Sequence, residues 1–345
     1  MDGPRQDDPW AVEPGAFAGC TDPADRLRFL LTYAVLAPSS HNTQPWRFRL
    51  HGGARLDLLA DRERALPVVD PDDRELTISC GAALANLRCA AAALGEALEV
   101  AALPDPAEPD LLARITARGP CPPAARMARL LRAITARHTS RQAFEPEPVP
   151  ATLREEAIAA AEQDGDTWLH WVESPAQRQA IARLVAEGDR VQMADPAFRQ
   201  ELARWIRSRH SGTQDGISAA GFGLPDLLSG GMALLLRRFD LGDGQAARDA
   251  ALAEGAPALA VLATPGDTPR DWLAAGEALE RMLLTLTAGG LSASYLNQAV
   301  EVPALRLRLA ATVGAAVPQL LLRIGRGERP SPSARRPVAA VLDET

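Results

Sequence analysis

A pair of repeated apolar helices constrains the fold of this chain more than any other feature. The Ala- and Leu-rich segment from Gly81 to Leu94 carries almost no charge, which indicates a helix buried on several sides. A second segment of the same character begins at Gly276, 195 positions further along. Self-similarity at a fixed spacing is the signature of a duplicated structural unit. The coinciding positions are Gly81 and Gly276, Ala83 and Ala278, Leu84 and Leu279, Ala93 and Ala288, and Gly95 and Gly290.

A Trp-bearing strand that follows a helix in each half supports the duplication. Trp46 and Trp168 occupy this place, and they lie only 122 positions apart. The helices are spaced more widely, so the second copy contains roughly 70 residues that the first copy lacks. We therefore predict an α+β fold in which two repeats form an intramolecular pseudo-dimer. The predicted units are a loose N-terminal arm at 1–22, a first half at 23–125, and a second half at 126–345 with an insertion at about 188–245.

Hydrophobic periodicity places further elements along the chain. Apolar residues at helical spacing predict amphipathic helices, and short β-rich runs bounded by turn residues predict strands. The Gly-rich stretch from Ser211 to Gly231 has little periodicity and predicts a long loop. The predicted helices lie at about 25–35, 81–94, 151–162, 175–187, 196–209 and 276–288, and the predicted strands near 48–50, 56–59, 168–172, 258–263 and 318–324.

Charge and composition exclude several classes of function. The net charge is -7, whereas nucleic-acid binders concentrate positive charge against phosphate, so we expect no nucleic-acid partner. Every basic residue other than histidine is arginine, so a phosphate site would have to be built from guanidinium groups. Met1 to Trp10 lacks the basic and apolar parts of a secretory signal, and no membrane span is indicated. We expect a cytoplasmic protein.

Signatures of metal and nucleotide-loop sites are missing from the sequence. The four cysteines form no C-x-x-C pair, and the five histidines show no metal-ligand spacing. No Walker loop, G-x-G-x-x-G or H-E-x-x-H motif is present. We therefore predict no metal ion.

The segment from Ala37 to Trp46 is the first candidate functional motif, and it reads A-P-S-S-H-N-T-Q-P-W. The apolar helix before it breaks at Pro38, so small polar side chains, two amides and free backbone groups collect at one helix end. Such a surface suits the edge of a planar ring with alternating hydrogen-bond donors and acceptors. An isolated Ser-Ser-x-Asn is more often only a capped connection between helix and strand, and that alternative stays open.

The whole string resembles the P-S-S-x-N-x-Q-P-W signature of the FMN-dependent nitroreductase superfamily, and especially of its mycobacterial Acg-like branch. The resemblance implies a nitroreductase-like fold and FMN as cofactor, because this segment of the family contacts a flavin bound mainly by the other subunit of an obligate dimer. His41 replaces a small residue beside the flavin edge, with packing as its alternative role. The candidate cofactor residues in this segment are Pro38, Ser39, Ser40, His41, Asn42 and Gln44.

A second motif at 137–144, with the sequence R-H-T-S-R-Q-A-F, resembles the R-x-S-x-R-x-F element of the same family. That element binds the FMN phosphate, the ribityl chain and the N1/O2 edge, so the resemblance implies binding roles for Arg137, His138, Thr139 and Arg141. Threonine keeps the hydroxyl of the commoner serine. Two guanidinium groups and a hydroxyl can bracket a phosphate and an anionic ring edge by charge-assisted bonds. The alternative is a solvated basic turn.

Two C-terminal stretches complete the resemblance. The strand at 321–325 and the Arg335-Arg336 pair resemble the last strand and the phosphate-binding tail of the family, with Arg335 as the better match and Arg336 as the second. A bare Arg-Arg pair is otherwise most often solvated. The turn at 290–298 falls where the family passes backbone N–H groups near flavin N5, which implies that Leu296 and Asn297 lie there. A plain turn between helix and strand is the alternative.

The two halves carry complementary parts of one site. The first half has the Pro-Ser-Ser-His-Asn string, but only Asp-Arg-Leu-Arg at 25–28 stands where R-x-S-x-R would be. The second half has the arginine motif, yet its equivalent helix end at 162–166 is acidic. One complete site can be assembled and its symmetry mate cannot. We therefore predict one FMN per chain, in a monomeric pseudo-dimer or a homodimer of it.

The resemblance implies an oxidoreductase that passes hydride or electrons from NAD(P)H through flavin to a small aromatic or quinone-like acceptor. Arg141 would stabilise the N1/O2 edge, Asn42 would hold the pyrimidine edge, and Arg137 with Arg335 would clamp the phosphate; no side-chain acid or base is required. In the Acg-like branch the insertion is expected to fold over the flavin, and the stretch 215–223 looks like such a lid. The alternatives are a protein that stores or sequesters FMN, and a dehalogenase- or desaturase-like flavin reaction.

Overall fold

The computed structural model describes residues 8–207, 212–218, 240 and 242–344. Helices and two main β-sheets share this part of the chain, so the predicted α+β class is confirmed. The described α-helices are α1 (Pro23–Ala34), α2 (Arg74–Leu94), α3 (Met127–Ala136), α4 (Ala151–Ala161), α5 (Pro175–Ala194), α6 (Pro196–Trp205), α7 (Gly242–Gly255), α8 (Pro269–Ala288), α9 (Gln298–Glu301) and α10 (Pro303–Val313).

Most of the described strands belong to two main sheets, one built mainly by each half. The first sheet has the order β11-β1-β2-β4-β3, and the second has the order β5-β8-β10-β9. A short parallel pair, β6 with β7, stands apart from both. The strands are β1 (Trp46–His51), β2 (Arg55–Ala60), β3 (Glu96–Ala102), β4 (Leu111–Pro120), β5 (Trp168–Val172), β6 (Ile206–Arg207), β7 (Ile217–Ser218), β8 (Ala258–Thr264), β9 (Ser292–Tyr295), β10 (Val317–Gly325) and β11 (Leu342–Glu344).

The repeated glycines lie where the two central helices cross. A Cβ atom built on Gly81 in α2 would lie 3.0 Å from Gly276 Cα in α8, and one built on Gly276 would lie 2.8 Å from Gly81 Cα. The carbonyl oxygens of Leu273 and Ile78 would be closer still. Since neither position has room for a side chain, the shared glycines allow the two helices to touch, and the duplication read from the sequence is the core of the fold.

Both central helices begin one to two turns before their apolar stretches. The Asp70 carboxylate accepts from the backbone N–H groups of Glu75 and Leu76, at 3.0 and 2.9 Å, and this fixes the start of α2. Thr268 and Asp271 form a reciprocal capping box at the start of α8. Helix α2 is also long and apolar enough to cross a membrane, with a mean hydropathy of 1.3, but 83% of that window is buried as a core helix.

Helix α5 is longer than predicted because Gly188 does not end it. A Cβ atom on Gly188 would lie 2.8 Å from the backbone of Gln298, so the glycine permits close packing of α5 on α9. The helix predicted at 196–209 ends at Trp205, where β6 begins. Helices α3, α7, α9 and α10 and the sheet strands β3, β4, β9 and β11 were not predicted, while β5 has the predicted bounds.

Both ends of the described chain pack against the rest of the protein. From residue 8 the N-terminal segment packs against the protein, where a loose arm was expected: Phe17 is buried, and Trp10 Nε1 donates to the Ser333 carbonyl at 2.9 Å. The C-terminal strand β11 pairs in parallel with β1 of the first sheet. The chain from the second half therefore completes the sheet of the first half.

The described part of the insertion packs on the first half. Apolar side chains of α5, α6, β6 and β7 form a cluster with two residues that precede α2. The Glu201 carboxylate accepts from the N–H groups of Val68 and Val69, both at 3.0 Å. Of the stretch 215–223 expected as a lid, residues 215–218 are described, and 219–223 lie outside the described residues. The cluster consists of Leu66, Val69, Met193, Phe198, Leu202, Ile206 and Ile217.

Candidate functional site

A cavity of about 2290 Å³ lies between the two halves, and both halves line it. Eleven of the fourteen predicted cofactor residues are on its wall, although the two main motifs are about a hundred residues apart. Gln44, Arg137 and Arg336 are not on the wall. The predicted residues that line the cavity are Pro38, Ser39, Ser40, His41, Asn42, His138, Thr139, Arg141, Leu296, Asn297 and Arg335.

The first motif turns sharply after α1. His41, Asn42 and Gln44 all have left-handed backbones, with φ of 51°, 55° and 54°. This conformation is uncommon outside glycine, and local hydrogen bonds hold it, since Ser39 Oγ accepts from Gln44 N at 2.9 Å. The strained turn presents the side chains of Ser40 and His41 to the cavity.

Asn42 ties three segments together. Its Nδ2 donates to the carbonyls of Gly216 and Ala334, both at 3.0 Å, and its Oδ1 accepts from Arg335 Nη1 at 2.7 Å. Gly216 N also donates to the Asn42 carbonyl at 3.1 Å. The Asn42 amide therefore binds protein partners, whereas the resemblance implied that it contacts the flavin ring.

Gln44 also connects separate segments, and it is fully buried. Its Nε2 donates to the Gln214 carbonyl and its Oε1 accepts from Arg336 N, each at 2.7 Å. Asp215, the residue after Gln214, forms ion pairs with Arg64 and Arg207. The predicted amides thus fasten the described part of the insertion and the C-terminal tail beside the cavity.

Glu75 joins the two halves at the cavity wall, and sequence analysis missed it. Ser40 Oγ donates to Glu75 Oε2, while Asn297 Nδ2 donates to Glu75 Oε1 at 3.2 Å. Arg74 Nη2 donates to the same Oε1 at 3.0 Å. A carboxylate in the first turn of a long helix is a common cap-region residue, so the sequence around Glu75 held no functional signal. The structure brings Ser40 and Asn297 together through this one carboxylate.

Arg141 provides a positive charge on the cavity wall. No hydrogen bond or ion pair to any residue in the described ranges engages its guanidinium, which faces the cavity. The enclosing protein lowers the pKa of Arg141, and the neighbouring charge of Arg248 adds to this effect. Nearby, the Tyr295 hydroxyl is buried without a hydrogen-bond partner among the described residues, and burial raises its pKa.

A buried group of charges lies behind the motifs. Arg137 Nη2 donates to the Leu36 carbonyl at 3.2 Å, and Arg335 Nη2 donates to the carbonyls of Leu36 and Ala37 at 3.3 and 3.1 Å. Glu280 Oε1 of α8 lies 3.5 Å from Arg137 Nε. Burial raises the pKa of Glu280 to about 7 and lowers that of Arg335 to about 9. The two arginines thereby hold the short segment that connects α1 to Pro38.

Trp10 and His138 form one end of the cavity wall. Their ring centroids are 4.5 Å apart in an edge-to-face arrangement, and the Arg335 guanidinium lies 5.0 Å from the Trp10 ring centroid. Burial and the charges of Arg137, Arg335 and Arg329 lower the pKa of His138 to about 3. Burial lowers the pKa of His41 to about 4. Both imidazoles are therefore neutral near pH 7.

The remaining predicted residues have simpler environments. Leu296 is buried, and its N–H donates to the Leu321 carbonyl at 2.9 Å, so the turn that carries it is anchored to β10. Arg336 donates to the carbonyls of Gln44 and Ala340 and pairs with Asp61, away from the cavity. Thr139 lies on the wall between His138 and Arg141.

A polar wall made by α5, α7 and α9 was also missed. Gln298 Nε2 donates to Asp189 Oδ1 at 3.0 Å and to Asp249 Oδ2 at 2.9 Å. Burial raises the pKa of Asp189 to about 7 and also raises that of Asp249. These residues belong to three separate helices, so nothing in the sequence connects them.

Comparison with known proteins identifies relatives over nearly the whole chain, although no protein-family model matches it. A Mycobacterium tuberculosis protein named "Putative NAD(P)H nitroreductase" is 34% identical over 327 residues, which cover 93% of this chain and 92% of the relative. Another from the same organism, named "Putative NAD(P)H nitroreductase acg", is 30% identical over 336 residues, which cover 92% of this chain and 95% of the relative.

Solved structures resemble the chain more distantly. The FMN- and NADPH-dependent nitroreductase NfnB from sphigopyxis sp. strain HMH is 19% identical with a TM-score of 0.42, over 62% of this chain and 97% of that one. The NADPH:FMN oxidoreductase of Vibrio harveyi is 13% identical with a TM-score of 0.38, over 63% of this chain and 76% of that one.

Proposed function

Because the chain belongs to the Acg-like branch of the nitroreductase superfamily, we propose that it binds one FMN in the cavity between its halves and acts as an NAD(P)H oxidoreductase. The flavin would pass hydride or electrons to a small electron-poor acceptor, aromatic or quinone-like. One observation carries the proposal: the Pro-Ser-Ser-His-Asn string and the arginine motif line the same cavity. A large cavity on which polar groups from distant segments converge is the place where a ligand site is expected.

The cavity suits FMN in size and in chemistry. Ligand pockets usually have volumes of about 300–1,000 Å³, so this cavity has room for a cofactor and a second molecule. Apolar side chains such as Ile78, Leu279 and Leu320 line it together with polar groups, as a ring with one polar edge requires. Arg141 supplies an unengaged cation for an anionic ring edge.

The chain's own residues would bind and orient the cofactor. Arg141 would stabilise negative charge at the ring edge, while Ser40 and Asn297, both held by Glu75, would form its polar support. His138 and Thr139 would contact the ribityl and phosphate part. FMN, when bound, supplies the redox chemistry, and the protein excludes water and sets the ring environment. No acidic or basic side chain has to transfer a proton to the substrate.

Anaerobic stopped-flow mixing of the flavin-loaded protein with NADH and with NADPH tests the activity. We expect the visible absorbance of oxidised flavin to bleach with at least one nicotinamide and to return when a quinone is added. Arg141→Gln should slow the bleaching about tenfold or more, because the charge that favours the reduced ring is gone. A flavin that stays oxidised with both donors contradicts the oxidoreductase proposal.

FMN storage is the second candidate function, and one observation favours it. Residues 214–217 of the insertion lie on the cavity wall and are fastened there by Asn42, Gln44 and Arg64. A wall held this firmly would restrict the entry of a nicotinamide. Tight FMN binding with no reduction by either nicotinamide, and normal reduction by dithionite, would select storage.

A further inference from the structure

The arginines predicted to bind phosphate already donate hydrogen bonds to protein partners. Arg335 Nη1 donates to Asn42 Oδ1 and Ser333 Oγ, both at 2.7 Å, and its Nη2 donates to two carbonyls at the end of α1. Arg336 donates to two carbonyls outside the cavity. Arg137 is 4% exposed and is not on the cavity wall. A phosphate needs donors that point at it, and these three arginines have other partners.

Arg329 has unused donors on the same tail. It lies on the cavity wall and is exposed, and no hydrogen bond or ion pair connects its guanidinium to any residue within the described ranges. Its neighbour Glu328 also lines the cavity. Among the described residues of the wall, Arg141 and Arg329 are therefore the arginines whose full set of donors remains available to a ligand.

His138 shows where the charge of Arg329 acts. The pKa of His138 is lowered by burial first, and then by the charges of Arg137, Arg335 and Arg329. Arg137 and Arg335 are flanked by Glu280, which offsets part of their charge. Among the described residues Arg329 forms no ion pair with a carboxylate, so its own charge on the cavity wall is not neutralised by a direct contact. A site of this kind attracts an anion.

We propose that Arg329 binds the phosphate of the cofactor, and that Arg137 and Arg335 instead form a fixed support beneath that site. The inference rests on the proposed FMN-binding function and names the residue that recognises the phosphate monoester. Ser331 and Ser333 of the same tail also line the cavity, and their hydroxyls are neutral hydrogen-bond donors. Arg141, at the other end of the motif, remains free for the ring.

Comparison of FMN with riboflavin isolates the phosphate. The full-length protein, freed of flavin, is titrated with each ligand, and flavin fluorescence gives the two dissociation constants. In Arg329→Gln we expect the FMN constant to rise about tenfold, the loss of one charge-assisted contact, with the riboflavin constant changed less than about twofold. The loss should shrink at high salt, because an exposed cation is screened.

Arg326→Gln is the matched control. Arg326 is an exposed arginine three positions away, it is ion-paired with Glu147 at 3.4 Å, and it does not line the cavity. We expect it to leave the ratio of the two dissociation constants unchanged. An equal loss in Arg326→Gln would mean that general tail charge, and not Arg329, attracts the phosphate, and would overturn the inference.

The variant Arg335→Gln tests whether Arg335 binds the phosphate itself or only supports the site that binds it. We expect it to lower thermal stability and to weaken FMN and riboflavin alike, so that their ratio is kept. The inference is overturned if Arg335→Gln abolishes the preference for FMN over riboflavin while Arg329→Gln leaves that preference unchanged. If Arg335→Gln does not fold, the result for Arg329→Gln decides alone. Wild-type protein that binds neither flavin contradicts the proposed function itself, whereas wild-type protein that binds both flavins equally contradicts only the phosphate site.

Discussion

At the scale of single residues, the site depends on buried polar groups whose partners come from distant segments. Glu75 accepts from Ser40 and Asn297, which are 257 positions apart, and Glu280 lies beside Arg137. Neither carboxylate stands out in the sequence, since each lies in a helix with an ordinary polar pattern. Both carboxyl oxygens of Glu280 are buried without a hydrogen-bond partner among the described residues. Such a group resists ionisation.

Glu280 makes a pH-dependent contribution to stability. Its pKa is raised from 4.5 to about 7 in the folded protein, so its favourable contribution is present below about pH 4.5 and is lost as the pH rises through 7. We expect wild type to lose on the order of 2–3 kcal/mol relative to Glu280→Gln between about pH 5 and about pH 8. Urea unfolding of both proteins at several pH values measures the difference.

Subtracting the stability of Glu280→Gln from that of wild type cancels the pH dependence of every group that titrates in both proteins. Asp70 and Asp189 also have raised pKa values, of about 6 and about 7, and they titrate in both proteins. Glu156→Gln is the control, because Glu156 is exposed and pairs with the exposed Arg129, and its difference from wild type should be flat with pH. Parallel curves for wild type and Glu280→Gln would contradict the assignment of a perturbed Glu280.

At the scale of elements, two central helices in close contact hold the halves together. Gly81 in α2 and Gly276 in α8 face each other with no room for a methyl group. The same contact places Glu75, at the start of α2, beside Asn297, which follows β9. The crossing of two helices therefore fixes the geometry of the cavity wall.

Gly276→Ala should destabilise the protein by about 2–3 kcal/mol or more, because an added Cβ forces the two backbones apart. The control is Gly244→Ala in α7, a helical glycine whose added Cβ would meet no atom within 4 Å. Alanine is the better helix former there, so stability should stay equal or rise by up to about 1 kcal/mol. Chemical denaturation of the three proteins gives the values. Equal stabilities would show that the crossing can relax.

At the scale of the whole molecule, the duplication provides two related places, and the cavity between the halves is the one that both motifs line among the described residues. In the first half, Arg26 Nη1 pairs with the buried Glu96 at 2.9 Å, and Arg28 pairs with Glu344 at 2.8 Å. The arginines that stand where a second R-x-S-x-R would be are thus engaged in ion pairs. At the pseudo-symmetric position, neither of these two arginines is therefore left unpaired for a flavin.

We therefore expect one flavin per chain. Absorbance of the protein saturated with FMN, combined with amino-acid analysis, gives the ratio directly. Light scattering on the same sample then shows whether the saturated species is a single chain or a pair of chains. A ratio of two flavins per chain would mean that the second half-site binds as well, against the engagement of Arg26 and Arg28.

The sequence by itself determined the family, the duplication and the segments that line the candidate site. The strings at 37–46 and 137–144 are local, so their residues are recognisable without coordinates, and the spacing of Gly81 and Gly276 revealed the repeat. The central helices extend beyond their apolar stretches because polar caps, not apolar periodicity, set their starts.

The tertiary structure alone decided how each site residue is used. Asn42 and Gln44 have matching motif positions, yet their amides hold the insertion and the tail. Glu75 and Arg329 became visible only when segments far apart in sequence met at the cavity, and Glu280 only when α8 met Arg137 behind it. A hydrogen-bond donor or a charge acts through what lies within a few ångströms of it, and sequence order does not encode that neighbourhood.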